Sequence, residues 1–191
     1  QLFIVRPEAL AIKGNAETAS ATDKVCDTVI SRLEEYPVGG VVLFSRNITG
    51  AEQLPEFISS LQSSSKYPLF IAVDEEGGSI ARVANSGYYD VASYKSMADI
   101  GKTDDVSKAE EVGRQIGMYL KKLGFNLDFA PVADINTNPQ NIVIGDRSYG
   151  SDPSLVAEMV SAQLDGMHDS GIMGTLKHFP GHGDTMNDTH S

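Results

Sequence analysis

The stretch Leu69-Phe70-Ile71-Ala72-Val73-Asp74-Glu75-Glu76-Gly77-Gly78 changes character at one bond. A run of apolar, partly β-branched residues of strand length ends abruptly in three carboxylates and two glycines. Ahead of it, Leu54, Phe57, Ile58 and Leu61 recur at helical spacing, behind a capping-box pair Thr49 and Glu52. Strand, polar loop and amphipathic helix in alternation are the signature of parallel βα units. The same alternation runs outward in both directions. Strands are predicted at residues 2–6, 40–45, 69–74, 126–130 and 172–177. One further helix carries Val106, Ala109, Val112, Ile116, Leu120 and Leu123 on one face. Another, with Asp152 as N-cap and Pro153 at its first position, aligns Leu155, Val156, Met159, Val160, Leu164 and Met167.

The connections are unequal. Helix-to-strand joints are short, whereas the stretches 74–103, 131–152 and 177–191 that follow strands are long. Elaboration of the strand C-terminal face is where a (β/α)8 barrel builds its site, although an open doubly wound sheet shares the asymmetry. A complete barrel takes about 250 residues. An α/β chain of this length would thus form either an open sheet or an incomplete TIM-type (β/α)8 barrel of about five to six βα units. Its first residue, Gln1, lies in an apolar run without an initiator Met, and Ser191 falls in a polar loop. Both ends look cut, and an uncovered barrel edge is expected to favour self-association.

Across 191 residues, 15 Lys and Arg stand against 26 Asp and Glu, for a net charge of −11. Such an acidic surface repels a nucleic-acid backbone or an anionic membrane. No apolar run approaches the roughly 18 residues of a membrane span. The single cysteine, Cys26, excludes an intrachain disulfide and shares a helical stripe with Val25, Val29, Ile30 and Leu33, which reads as a core thiol.

Polar clusters follow three of the predicted strands: Asp74 to Gly78, the pair Asp128 and Asp134, and Lys177-His178. Gly145-Asp146-Arg147-Ser148 can bring an arginine fork to the same mouth. The densest region is Lys177-His178-Phe179-Pro180-Gly181-His182-Gly183-Asp184-Thr185, followed by Asp188-Thr189-His190. Zinc held by His178, His182 and His190 has to be weighed, since imidazoles and carboxylates are its usual hydrolytic ligands. Against it, a four-residue histidine spacing aligns ligands on a helix, which Pro180, Gly181 and Gly183 forbid. His168 lies near a helix C-terminus, where the dipole favours a cation and no catalytic role follows. Asp188 and His190 differ: in extended chain, residues i and i+2 face one side, so the carboxylate can orient the imidazole as a general acid/base.

This long histidine motif resembles the signature of family 3 glycoside hydrolases, in their β-N-acetylglucosaminidase (β-hexosaminidase) branch. The resemblance extends to Asp74-Glu75-Glu76-Gly77-Gly78 with Arg82, to Leu127-Asp128-Phe129-Ala130-Pro131-Val132, and to Ile144-Gly145-Asp146-Arg147-Ser148-Tyr149-Gly150. It implies that residues 1–191 are the N-terminal portion of a catalytic TIM-type barrel. The implied reaction is retaining removal of terminal β-linked N-acetylglucosamine from peptidoglycan fragments or chitooligosaccharides, with no metal or organic cofactor. Asp74, Arg82, Arg147, Lys177 and His178 match positions that bind the sugar hydroxyls. His190 matches the acid/base and Asp188 its partner, while His182 and Asp184 read as loop architecture. Thr189 stands where the branch usually has Ser, and Glu75 where Gln is common. The implied nucleophile is an Asp in a motif downstream of Ser191. Water and phosphate both remain open as acceptor, as do a cytoplasmic and a bacterial cell-surface or secreted location. The competing readings are a non-catalytic amino-sugar-binding barrel fragment and the zinc hydrolase above.

Overall fold

A computed structural model of the chain describes residues 2–11 and 20–186. Five strands form one parallel sheet: β1 (Ile4–Val5), β2 (Gly40–Leu43), β3 (Phe70–Val73), β6 (Leu127–Asp128) and β7 (Met173–Gly174), adjacent in that order. Between β3 and β6 lies a small antiparallel hairpin, β4 (Glu75–Gly77) with β5 (Ile80–Ala81). The helices are α1 (Pro7–Ala11), α2 (Asp27–Glu35), α3 (Gln53–Ser64), α4 (Met97–Gly101), α5 (Val106–Leu123) and α6 (Pro153–Asp169). Each predicted strand is present, though shorter than its apolar run. The order decides between the two α/β alternatives. A doubly wound sheet reverses its winding part-way, whereas here every new strand is added beside the previous one, as in a barrel wall.

Side-chain alternation divides the sheet into two faces. Val41, Leu43, Ile71 and Val73 are buried in the main core with the helices. Their neighbours Val42, Ala72 and Leu127 form a second cluster with Phe44 and Phe129 on the opposite face. Pairing brings Val42, Ala72, Leu127 and Met173 into one cross-strand row. That row lines the concave side of the partial barrel.

Helices α5 and α6 pack closely because two glycines stand where they meet. A Cβ on Gly113 would lie 2.0 Å from the carbonyl oxygen of Gln163, and one on Gly166 2.1 Å from that of Glu110. Gly→Ala inside a helix ordinarily stabilises by about 1 kcal/mol. Here the obstacle is backbone, so overpacking at about 1–3 kcal/mol decides the sign. Gly113→Ala should therefore lower the urea unfolding midpoint; a higher midpoint would show that these helices do not touch there.

Two local expectations are corrected. Cys26 is exposed, not a core thiol. Helix α2 begins after it, leaving Cys26 as an extended N-cap, so Val29 and Leu33 carry the buried stripe alone. The capping box from Thr49 to Glu52 does not form either. Helix α3 starts at Gln53, whose Oε1 accepts from the Thr49 N–H at 2.9 Å, while the Thr49 hydroxyl turns to Asp23 Oδ2 at 3.1 Å. Asp152 does cap α6, accepting from the Leu155 N–H at 2.9 Å.

Candidate active site

Parallel strands place their C-terminal ends on one edge, and the polar clusters extend from it. Asp74 follows β3 directly. Because successive residues of extended chain face opposite sides, Asp74 and Glu76 turn one way and Glu75 the other. Lys177, beyond β7, meets both of the first two: its Nζ lies 2.7 Å from Asp74 Oδ1 and 2.5 Å from Glu76 Oε1. Arg147, from the short 3-10 turn Gly145–Arg147, forks Glu76 through Nε at 2.8 Å and Nη2 at 2.7 Å. Burial disfavours the Arg147 cation, but Glu76 more than compensates and its pKa rises. Arg82, in the turn directly after β5, approaches Asp74 Oδ2 at 4.0 Å. The glycine pair serves that hairpin, with Gly77 at φ 89° and Gly78 at φ 64°, a region glycine enters without strain.

His178 completes the cluster. The Lys177–His178 bond is cis, as are Ala130–Pro131 and Phe179–Pro180. The chain on either side is tied into the sheet by the Ala133 N–H donating to Lys177 O at 2.7 Å and the Thr175 N–H donating to Ala130 O at 2.8 Å. His178 Nδ1 lies 2.6 Å from Asp134 Oδ2, and Nε2 lies 3.2 Å from Arg147 Nη2. Asp134 also accepts from the His178 and His182 backbone N–H groups, at 3.1 and 2.6 Å. Burial alone would raise the Asp134 pKa, yet these donors outweigh it and hold the carboxyl below its ordinary value.

Asp74, Arg82, Arg147, Lys177 and His178 are thus gathered at one rim. Two members of the cluster were absent from the expected set: Glu76, whose side chain is 1% exposed and joins both cations, and Asp134, 3% exposed. Glu76 was legible from its i+2 relation to Asp74. His182 is buried, with Nδ1 2.8 Å from the Thr185 hydroxyl, and Asp184 accepts from Thr137 Oγ1 at 3.0 Å, so both do serve loop architecture. His168 sits in the last turn of α6. Asp188 and His190, and with them the full histidine triad weighed for zinc, lie outside the described residues. Among the described residues, no three His, Cys, Asp or Glu side chains are grouped to hold a metal.

Behind the rim lies a second polar layer on the helix side of the sheet. Glu75 accepts from the Val83 and Ala84 N–H groups, at 2.7 and 2.8 Å, and from the Tyr119 hydroxyl at 2.7 Å. Burial nevertheless pushes its carboxyl up, and does the same more strongly to fully buried Asp128, which accepts from the Glu75 N–H at 2.9 Å. This layer fixes the loop from which Asp74 and Glu76 project.

Residues 8–191 match the glycosyl hydrolase family 3 N-terminal domain. The chain is 38% identical over 168 residues to Beta-hexosaminidase A of Pseudoalteromonas piscicida, an alignment covering 83% of this chain and 27% of that protein. A solved family 3 β-N-acetylglucosaminidase from Paenibacillus sp. str. FPU-7 matches with TM-score 0.80 and 39% identity, over 88% of this chain and 32% of its own. NagZ from Neisseria gonorrhoeae, solved in complex with N-trifluoroacetyl-D-glucosamine, also gives TM-score 0.80, at 31% identity over 89% of this chain and 51% of its own. This chain therefore spans between 27% and 51% of the length of these relatives. The progressive parallel winding, the charged rim at the strand ends and the match over residues 8–191 agree, and the chain belongs to glycosyl hydrolase family 3 through its N-terminal domain.

Proposed function

We propose that residues 1–191 are the N-terminal portion of the catalytic barrel of a β-N-acetylglucosaminidase. It removes terminal β-linked N-acetylglucosamine from peptidoglycan fragments or chitooligosaccharides with retention of configuration. The observation that carries this reading is the rim itself, where Lys177 Nζ stands between Asp74 and Glu76 while Arg147 forks Glu76. Alternating carboxylate acceptors and cationic donors suit vicinal hydroxyls, which both donate and accept. The amino-sugar analogue bound by the Neisseria relative points to the same ligand class.

In this reading Asp74, Arg82, Arg147 and Lys177 hold the hydroxyls of the terminal sugar, with His178 beside them. Binding energy spent there orients the anomeric carbon and excludes water from the reacting face. His190, oriented by Asp188, protonates the departing oxygen and then recovers the proton from the incoming acceptor. Retention needs a carboxylate about 5 Å across the bond, which the family resemblance places downstream of Ser191. No metal or cofactor takes part.

The test is hydrolysis of chitobiose by the protein carrying its complete barrel, followed by proton NMR. The first-formed sugar should be the β-anomer; an α-anomer would overturn retention, and no release would overturn the reading. The 191-residue chain alone should bind N-acetylglucosamine weakly and show no burst from an aryl β-N-acetylglucosaminide. A burst from it would assign the nucleophile to a carboxylate within these residues.

A further inference from the structure

His178 has both ring nitrogens engaged inside the protein. Arg147 Nη2 lies 3.2 Å from Nε2, and a guanidinium can only donate. Nε2 must therefore present its lone pair. The ring proton of a neutral imidazole is then on Nδ1, 2.6 Å from Asp134 Oδ2, which is an acceptor when ionised. A cationic His178, or one protonated at Nε2, would set two donors against each other at the Arg147 contact. From this contact geometry we infer that Asp134 is a positioning residue for sugar binding: it locks His178 as the neutral Nδ1–H tautomer, whose Nε2 seats Arg147 against the terminal sugar.

The remaining contacts fit this role. Arg147 is otherwise held by Glu76 and by the Val143 carbonyl, 2.8 Å from Nη1. Glu76 fixes the Nε and Nη2 side of the fork, Val143 fixes Nη1, and His178 supplies a further acceptor to Nη2. The Asp134 carboxylate is buried and does not share the ion pairs of Asp74 and Glu76; its hydrogen bonds run to the His178 ring and to the His178 and His182 N–H groups, while its carbonyl accepts from the Ser148 hydroxyl at 2.6 Å. The inference rests on the proposed sugar site in naming what Arg147 holds, while the tautomer itself does not depend on that reading.

Asp134→Asn is nearly isosteric and keeps one acceptor for the His182 N–H. Its amide donates where the carboxylate accepted, which favours the Nε2–H tautomer and turns a donor towards Arg147, the consequence an Asp→Asn change has in a catalytic triad. In the protein with its complete barrel, KM for an aryl β-N-acetylglucosaminide should rise about 10- to 100-fold with a smaller fall in kcat, as for loss of a charged hydrogen bond used in ground-state binding. His178→Ala should show the same pattern, and the double variant should be no worse than the poorer single one. Effects that multiply would make Asp134 a prop for the loop and overturn the inference. Nitrogen-15 histidine NMR of the parent protein should show His178 as Nδ1–H; finding Nε2–H or a cation overturns the inference without any variant. If the parent neither binds nor cleaves the aryl glycoside, the sugar-site reading fails, and with it the stated role of Asp134 in binding. An Nδ1–H spectrum would then still establish the lock on His178 and separate the two failures.

Discussion

Glu76→Gln should both destabilise the protein and weaken sugar binding at the proposed rim. The Glu76 carboxylate is buried and makes contacts with two cations whose side chains are 16% and 14% exposed, Arg147 and Lys177. Removing one member of such a buried group leaves charge without its counterion, at a cost of about 3–5 kcal/mol. Lys177 retains Asp74 at 2.7 Å and Arg147 retains the Val143 carbonyl at 2.8 Å, which places the loss near the lower end of that range. Three cations, Lys177, Arg147 and Arg82, would then face Asp74, with Asp134 farther back. The amide of Gln can accept from one donor of the Arg147 fork but turns its own N–H groups against the other. Urea unfolding should show a lower midpoint with an unchanged slope, since the surface exposed on unfolding is the same. KM for an aryl β-N-acetylglucosaminide should rise with it. Unchanged stability would mean that the rim cations are solvated in the folded protein and that Glu76 does not organise them.

The parts of this architecture that follow from local periodicity were legible in the residues. Each strand candidate appears, and its polar continuation lies at the strand's C-terminal end, because the period of two and the break at Asp74 are local properties. The alternation also separates Asp74 and Glu76 from Glu75, one pair meeting Lys177 and the other residue meeting Tyr119. The role of Asp134 was not legible. Its partners His178 and His182 are 44 and 48 residues away, and only the side-by-side pairing of the two chain segments brings them together. Cys26 failed for a different reason. Its stripe has the right spacing, but the helix begins one residue later, and side chains share a face only within one helix. The winding direction, too, is a property of strand order, so loop asymmetry alone also fitted a doubly wound sheet, and it was the family resemblance that implied the barrel the strand order shows.

On the acid/base role proposed for His190, His190→Ala should separate substrates by their leaving groups, and this gives the largest kinetic effect. A general acid matters most when the departing oxygen belongs to another sugar, a poor leaving group that must be protonated as the bond breaks. A nitrophenolate departs without that help. In the protein with its complete barrel, cleavage of chitobiose should therefore fall by about 10²–10⁴, the range typical of acid/base catalysis, while the first step with a nitrophenyl glycoside falls far less. The second step needs the same imidazole to take a proton from the incoming acceptor. It should slow for every substrate, so the glycosyl-enzyme accumulates when the leaving group is good and mass spectrometry of the quenched reaction finds it. Asp188→Asn should give a weaker form of this pattern, because the ring remains but loses its orienting carboxylate. The two positions also predict a contrast with the rim. In the proposed site Arg147 and Lys177 hold the sugar whatever its leaving group, so their loss should weaken good and poor substrates alike. Equal losses for both substrate types in His190→Ala, with no accumulating intermediate, would place His190 with those binding residues and require a different proton donor.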